Sequence, residues 1–137
     1  MSFSVIRADE DFKLKHHITA QQCVVLTVDD RFAGYAAWDT IDHNYVIDSY
    51  EFYSENERYL DAMMRAVAFE GIGNYIRYLF CTANNESDAA CMLNGIFQKN
   101  DGLMCDGMDN IGSDGQMLCV DIMKCFSQHS CGADHAE

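Results

Sequence analysis

The stretch YVIDSYEFYSENERYLDAMMRAVAFEGIG, residues 45–73, decides the fold because its hydrophobic period changes partway along. Residues 45–53 are rich in aromatic and β-branched side chains and predict one long strand. Strict alternation would put one set of side chains on a single face, namely Val46, Asp48, Tyr50 and Phe52. The stretch that follows predicts an amphipathic helix with apolar residues at helical spacing, namely Leu60, Met63, Met64, Val67, Ala68 and Ile72.

The two ends of this helix carry boundary signals. Ser54 and Glu57 have the spacing of a capping box, which predicts that Ser54 is the N-cap and Glu57 the third residue of the first turn. Gly71 and Gly73 predict the end of the helix.

Upstream of the decisive stretch the pattern predicts an antiparallel meander. Residues 3–8 indicate a short strand, 23–28 a buried strand and 32–38 its hairpin partner. Asp29 to Arg31 and Asp42 to Asn44 predict the turns between them. Asp9 to Asp11 is a turn signal, and residues 12–19 fit either a strand or a poor helix.

Downstream the pattern predicts a strand, a helix and a last strand. The strands cover residues 75–81 and 116–126, with an amphipathic helix over 87–97. Residues 99–115, rich in Gly, Asp and Asn, indicate a long loop or a loose hairpin. With no repeat or linker, we expect a single α+β domain over residues 1–126 and a polar tail over 127–137.

This order of elements resembles the GNAT superfamily of N-acetyltransferases, and short motifs add to the resemblance. Val5-Ile6-Arg7-Ala8 followed by Asp11 is similar to the opening strand of that family. Residues 32–38 resemble its third strand, with a glycine after the hairpin turn. Asn85 and Phe97, twelve residues apart, match an Asn and a Phe of one family helix. The resemblance is good over residues 22–126 and loose before them.

The resemblance implies a GNAT-like fold with a truncated N-terminal helical region, since about fourteen residues join the first two strands. It also implies an acyl-CoA-dependent N-acyltransferase that uses acetyl-CoA and acts on an amine of unknown identity. Asp48 or Glu51 would then be the general base of catalysis. Tyr50, Phe52 and Asn85 would hold the pantetheine arm, and Arg58 would contact the phosphates.

Two departures from the family favour an alternative, a non-catalytic GNAT-fold binding module that has lost coenzyme A. Members hold the coenzyme A pyrophosphate on a glycine-rich turn, because bare N–H groups at a helix start bind phosphate. Asn56, Arg58 and Leu60 occupy those glycine positions here, and we expect Leu60 to crowd the phosphates. The tyrosine that acts as general acid in the family falls on Met92, a thioether that cannot donate a proton.

Charge restricts the class of partner. The chain of 137 residues has 9 Lys and Arg against 22 Asp and Glu, a formal net charge of −13. This balance argues against nucleic acid and anionic membranes, which are polyanions, and is compatible with cationic or amine-bearing ligands. No apolar run approaches the roughly 20 residues that span a bilayer.

The cysteines and histidines predict a reduced protein with no metal site. Seven cysteines, an odd number, and an N-terminus without a secretory pattern indicate a cytoplasmic location. The tail from Cys125 to His135 has ligand residues at spacings unusual for zinc. The Asp- and Gly-rich loop over 101–115 lacks the ligand order of an EF-hand.

We also expect a homodimer. The short N-terminal helical region would leave strand and helix edges uncovered, and exposed edges are usually paired or covered.

Overall fold

The computed structural model describes residues 2–99 and 117–126. These residues form a seven-stranded sheet with helices packed on it. The elements in chain order are β1 (Phe3–Arg7), α1 (Glu10–Lys15), β2 (Gln22–Val28), β3 (Arg31–Ile41), β4 (Asn44–Phe52), α2 (Arg58–Gly73), β5 (Tyr78–Thr82), α3 (Glu86–Asn94), β6 (Gln98–Lys99) and β7 (Met117–Asp121).

The sheet order is β1-β2-β3-β4-β5-β7-β6, and only β4 and β5 run parallel. The predicted meander and the α+β class are confirmed. A parallel neighbour needs a crossover connection, and α2 supplies it between β4 and β5. The predicted division at residue 126 stays a prediction, since residues 127–137 lie outside the described part of the chain.

Both predicted hairpin turns lie where the sequence indicates them. Asp29 and Asp30 join β2 to β3, and Asp42 and His43 join β3 to β4, with φ between 51° and 66° at all four. Two-residue hairpin turns with positive φ at both central residues are favoured because their twist matches the right-handed twist of the flanking strands. Asp adopts positive φ more readily than most residues. Short polar residues therefore replace glycine and proline at these corners.

The main core lies between α2 and one face of the sheet. Buried side chains of α2, including Leu60, Met63, Met64 and Val67, pack against Trp38 and other strand residues. The predicted helical stripe is thus confirmed. On the opposite face, a smaller cluster lies under α1 and consists of Ala20, Cys23, Tyr35 and Ala37, with Ala8, Phe12 and Ile18 against it.

The capping box predicted for α2 is wrong. The helix begins at Arg58, and its N-cap residue is Glu57, which makes no side-chain capping bond. Ser54 Oγ instead accepts from the backbone N of Asn56 at 3.1 Å. The Ser-x-x-Glu spacing is present, but Ser54 and Asn56 use their side chains in the loop before the helix, which is where such residues compete with helical bonds.

Other boundaries differ from the prediction for local reasons. The undecided stretch 12–19 starts as the helix α1, and Asp9 caps it by accepting from Phe12 N at 2.8 Å, so the predicted Asp9 turn is a helix start. β5 begins only at Tyr78, because the chain after α2 has a positive φ of 59° at Tyr75.

The second predicted helix and the last strand also differ in extent. α3 ends at Asn94 instead of residue 97. β7 ends at Asp121, and the chain is helical over 122–126 instead of extended. The N-H of Lys124 donates to Asp121 Oδ1 at 3.1 Å, so Asp121 stops the strand by capping this turn. Residues 100–116, which include most of the predicted loop, lie outside the described residues.

Gly34 allows a close approach between β3 and β4. A Cβ atom there would collide with the backbone carbonyl of Glu51, which cannot move without breaking the ladder. The β2–β3 register also shifts at this point, since Leu26 faces Gly34 and Thr27 faces Phe32.

Replacing Gly34 by alanine should therefore lower the free energy of unfolding by about 1–3 kcal/mol, the usual cost of overpacking. Urea unfolding would measure the change. Gly73→Ala is the matched control, because nothing lies within 4 Å of its added Cβ and alanine favours helix. Equal stability of wild type and Gly34→Ala would contradict this account of the β3–β4 contact.

Candidate functional site

The central feature of the site is a β-bulge in β4 at Asp48. Ala37 faces Ser49 and Trp38 faces Ile47, so Asp48 is the extra residue on β4. One extra residue reverses the face of every later side chain. Tyr50 therefore joins Ile47 in the main core, and the prediction that it shares a face with Val46 is wrong.

Past the bulge, β4 leaves its parallel neighbour. The β4–β5 ladder contains three residue pairs, Asn44 with Tyr78, Tyr45 with Leu79 and Val46 with Phe80. No later pair between these strands is formed within the described residues. The two strands thus separate at the carboxyl end of the parallel pair, where a sheet of this kind can receive a ligand.

A side-chain network bridges this gap. The Tyr50 hydroxyl donates to Asp88 Oδ2 at 2.7 Å and accepts from the backbone N of Asn84 at 2.7 Å. The Tyr50 carbonyl accepts from Asn84 Nδ2 at 2.9 Å. Burial raises the pKa of Tyr50 far above its ordinary value, and the Asp88 carboxylate adds to the rise. Tyr50 is therefore a neutral phenol that ties β4 to the segment before α3.

At the start of α2, backbone donors are already used within the chain. Arg58 N donates to Asn56 Oδ1 at 3.1 Å, and Tyr59 N donates to the Asn56 carbonyl at 3.1 Å. Leu60 N and Asp61 N both donate to the Glu57 carbonyl, at 3.1 and 3.3 Å. A helix normally leaves its first N–H groups free for a cap or an anion, and here these donors have partners.

The predicted crowding by Leu60 is wrong. Leu60 is fully buried in the core under α2, so its side chain faces away from the start of the helix. The side chains that surround this turn are polar, and two of them, Glu55 and Glu57, carry negative charge.

A pocket of about 370 Å³ lies between the start of α2 and the end of α3. It is lined by Glu57, Arg58, Asp61, Arg65, Cys91, Asn94 and Gly95. Arg65 Nε donates to Asp61 Oδ2 at 2.7 Å, so one arginine is neutralised by a carboxylate of the same pocket.

The Cys91 thiol, which also lines this pocket, donates to the Glu57 carbonyl at 3.3 Å. Desolvation and the nearby Glu57 raise the pKa of Cys91, which keeps it a protonated, unreactive thiol.

The structure distributes the six predicted site residues over both sides of the sheet. Arg58 lines the α2–α3 pocket. Asn85 caps α3 by accepting from Asp88 N at 2.8 Å, which brings it next to the Tyr50 network.

The other four predicted residues lie on β4 itself, and Tyr50 among them belongs to the network across the strand gap. Asp48 is exposed at the bulge. Glu51 is exposed opposite Tyr35, hence towards the face away from α2, while Phe52 packs against the main core. Glu51 therefore lies on the opposite face of the sheet from the α2–α3 pocket that Arg58 lines.

Sequence reasoning missed Asn84 and Asp88. The spacing of Asn85 and Asp88 is that of a helix cap followed by an acid in the first turn, and this signal is visible in the sequence. Their link to Tyr50 spans 34 and 38 residues along the chain, and no local pattern reports a contact at that distance.

The position at which the resemblance places a tyrosine general acid is inaccessible to a ligand. Met92 is buried in the main core and has no proton to donate. Cys81, also buried, is unreactive, because burial and then the Asp88 carboxylate raise its pKa to about 12.

Residues 2–99 and 117–126 contain neither a cluster of metal ligands nor a membrane-spanning helix. No group of three or more His, Cys, Asp or Glu side chains there could hold a metal ion. No helix there is long and apolar enough to cross a membrane. The Cys and His residues after Cys125 and the acidic loop lie outside this range.

Comparison with known proteins finds similarity only at the level of structure. No family model matches the chain, and no curated protein matches it. Among solved structures, an acetyltransferase of the GNAT family from Staphylococcus aureus Mu50 aligns with a TM-score of 0.62 and 9% identity, covering 88% of this chain and 99% of that one.

Two other neighbours carry ligands. N-acetylglutamate synthase from Neisseria gonorrhoeae, complexed with coenzyme A and L-arginine, aligns at a TM-score of 0.63 and 16% identity, over 87% of this chain and 33% of that one. The KacTA–DNA complex aligns at 0.60 and 16% identity, over 94% of this chain and 99% of that one. These likenesses show that the chain has the GNAT fold, as the sequence resemblance predicts.

The Tyr50→Phe variant tests the bridge across the strand gap. Loss of the hydroxyl leaves Asp88 and the Asn84 N–H without their buried partner, so the free energy of unfolding should fall by about 1–3 kcal/mol. Chemical denaturation measures it. Tyr75→Phe is the control, because Tyr75 is 84% exposed. Equal effects of the two variants would contradict a structural role for the network.

The raised pKa of Cys81 predicts a loss of stability at alkaline pH. An unfolded thiol titrates near pH 8.5, so above this pH unfolding releases a proton that the folded state retains. By about pH 10 the release of this proton should lower the free energy of unfolding by about 2 kcal/mol. Cys81→Ala should lose correspondingly less stability than wild type between about pH 8 and 10. An unchanged pH dependence in this variant would show that Cys81 titrates normally.

Proposed function

We propose that this protein is a GNAT-fold binding module that does not use coenzyme A in the manner of the acetyltransferases it resembles. The observation that carries the proposal is the hydrogen bonding at the N-terminus of α2. The backbone N–H groups of Arg58, Tyr59 and Leu60 all donate to acceptors within the chain. A phosphate at this helix start would have to displace them.

Acetyl-CoA fits these residues poorly for a second reason. Glu57 and Asp61 line the adjacent pocket, and Arg65 is paired with Asp61. A diphosphate brought into this pocket meets carboxylates as well as Arg58, so attraction and repulsion largely offset each other. The Tyr50 carbonyl beside the strand gap already accepts from Asn84 Nδ2, which leaves it one lone pair for a ligand.

The second candidate is an N-acyltransferase acting on an amine. The separation of β4 and β5 after Val46 favours it, as does the coenzyme A held by the N-acetylglutamate synthase with the same fold. In that case Asp48 or Glu51 would accept a proton from the amine. The resemblance assigns Tyr50, Phe52 and Asn85 to the cofactor, and these roles remain proposals.

Calorimetric titration with acetyl-CoA and with acetyl-pantetheine separates the two candidates. Acetyl-pantetheine has the same acyl arm without the pyrophosphate and nucleotide. If the α2 start holds no phosphate, acetyl-CoA binds no more tightly than acetyl-pantetheine. An affinity for acetyl-CoA at least about tenfold higher, or about 1.4 kcal/mol, would overturn the binding-module proposal.

A double variant tests the stated cause. Asn56→Gly with Glu57→Gln frees the N–H of Arg58 and removes one charge, so affinity for acetyl-CoA should rise at least about threefold over wild type. Glu55→Gln is the matched control, because it removes a neighbouring charge and frees no donor. A gain of the same size in the control would assign the effect to charge alone.

The homodimer also remains a proposal. β1 is an edge strand of the described sheet, and its Phe3 and Ile6 side chains are at least half exposed. Pairing two such edges would bury both the strands and these side chains. Light scattering should then give twice the 15.5 kDa chain mass, and Ile6→Lys should shift it toward the monomer. A single 15.5 kDa species for wild type would contradict the proposal.

A further inference from the structure

Aromatic rings gather on the sheet face opposite α2, at the end of the β2–β3 hairpin. We call them the aromatic cluster, and its members are Phe12, His16, Phe32, Tyr35 and Tyr53. Ring centroids lie 4.1 Å apart for Phe12 and His16, 5.5 Å for His16 and Phe32, and 5.7 Å for Phe32 and Tyr53. The rings are therefore in mutual contact.

Three separate elements build the cluster. Phe12 and His16 are four residues apart, in α1 and at its C-cap, and stack on one another. The register shift beside Gly34 lets Phe32 and Tyr35, three residues apart on β3, both contact Phe12. Tyr53 is added from the end of β4, where its N–H donates to the Ala33 carbonyl at 2.9 Å.

Only part of the cluster is needed for packing. Tyr35, 8% exposed, lies in the small core under α1, and Phe12 packs against that core. Phe32 and Tyr53, in contrast, are 42% and 62% exposed. Parts of both rings are therefore open to solvent beside the packed ones, and the face of such a ring carries the negative part of the aromatic quadrupole.

A carboxylate lies close to these exposed rings. Glu51 is opposite Tyr35 in the β3–β4 register and two residues before Tyr53. Desolvation and the neighbouring Glu51 carboxylate together raise the pKa of Tyr53. The chain as a whole carries a net charge of −13. Glu51 and the excess negative charge of the chain thus both favour a cation as the ligand of the cluster.

No lysine or arginine of the described residues lies over the rings of the aromatic cluster. Among the described residues, the arginine found over an aromatic ring is Arg77, 5.3 Å above the Tyr78 ring on another part of the sheet. The exposed parts of the Phe32 and Tyr53 rings are therefore accessible to a cation from outside.

We propose that the aromatic cluster and Glu51 bind the quaternary ammonium group of a small organic cation. A primary ammonium needs acceptors for three N–H bonds and is strongly hydrated, whereas the site offers ring faces and one carboxylate. A quaternary ammonium has no N–H group and is recognised by ring faces. Its nitrogen has no lone pair and cannot be acylated, so this inference goes beyond the proposed function and holds whether or not coenzyme A binds.

Choline and 3,3-dimethylbutan-1-ol form the decisive pair of probes, because they share shape and hydroxyl and differ in charge. In NMR titrations of the full chain, choline should bind about 3-fold to 30-fold more tightly than the neutral alcohol. Intermolecular contacts should join the choline methyl protons to the ring protons of Phe32 and Tyr53. Equal affinity for both probes, or no saturable choline binding, would overturn the proposal.

Variants locate the site. Tyr53→Leu should weaken choline binding about threefold or more while leaving the neutral alcohol nearly unaffected, and Glu51→Gln should do the same without removing a ring. Phe69→Leu is the matched control, because Phe69 is 65% exposed and lies on α2, outside the cluster. An equal loss in Phe69→Leu would show non-specific binding to exposed rings. Thermal unfolding of each variant confirms that it is folded.

The same chemical group also occurs on phosphatidylcholine, and a separate arm distinguishes the two sources. In a flotation assay, phosphatidylcholine vesicles should not carry the protein with them. The reason is that we propose a free small molecule, and not a membrane lipid, as the ligand of the aromatic cluster and Glu51. Flotation of wild type with loss in Tyr53→Leu would instead assign the site to a lipid headgroup and overturn the small-molecule assignment.

Discussion

The extra residue at Asp48 in β4 is the constraint on which the rest of the site depends. Before it, β4 pairs with β3 on one side and with β5 on the other. After it, the strand bends, continues with β3 and leaves β5. A bulge increases local twist and ends pairing on one side, so the gap between the strands follows from a single backbone irregularity. The bulge also turns Tyr50 into the core, where its hydroxyl reaches across that gap to Asp88.

The gap is closed by the chain's own groups. Asn84 donates to the Tyr50 carbonyl and Asn56 accepts from the Arg58 N–H, so two backbone groups that the resemblance would assign to a coenzyme are bonded within the chain. Each of these hydrogen bonds contributes on the order of 1 kcal/mol to the stability of the fold. A ligand that displaces one of them loses that contribution from its binding free energy. A fold shared with acetyltransferases therefore does not carry their chemistry by itself.

Much of the fold could be predicted because it depends on local patterns. The meander strands, the two Asp-rich turns and the buried stripe of α2 follow from side-chain period and turn chemistry, which act over a few residues. The helix ends were less predictable. Ser54 and Glu57 have the spacing of a capping box, yet Ser54 and Asn56 form hydrogen bonds within the loop before the helix. The two bonding patterns are both local and similar in energy, so the surrounding structure decides which of them forms.

The sequence by itself determined the order of the long strands and of α2 and α3, the apolar face of α2, the absence of the glycine turn and the excess negative charge, since all are properties of residue type and spacing. Only the tertiary structure decided which side chains meet. Strict alternation put Tyr50 beside Val46, and one bulge residue reversed that. The register shift beside Gly34 likewise brings Phe32 to the rings of α1. A one-residue register change leaves no mark in the period of a strand, but it exchanges the two faces of a sheet, because successive side chains point in opposite directions.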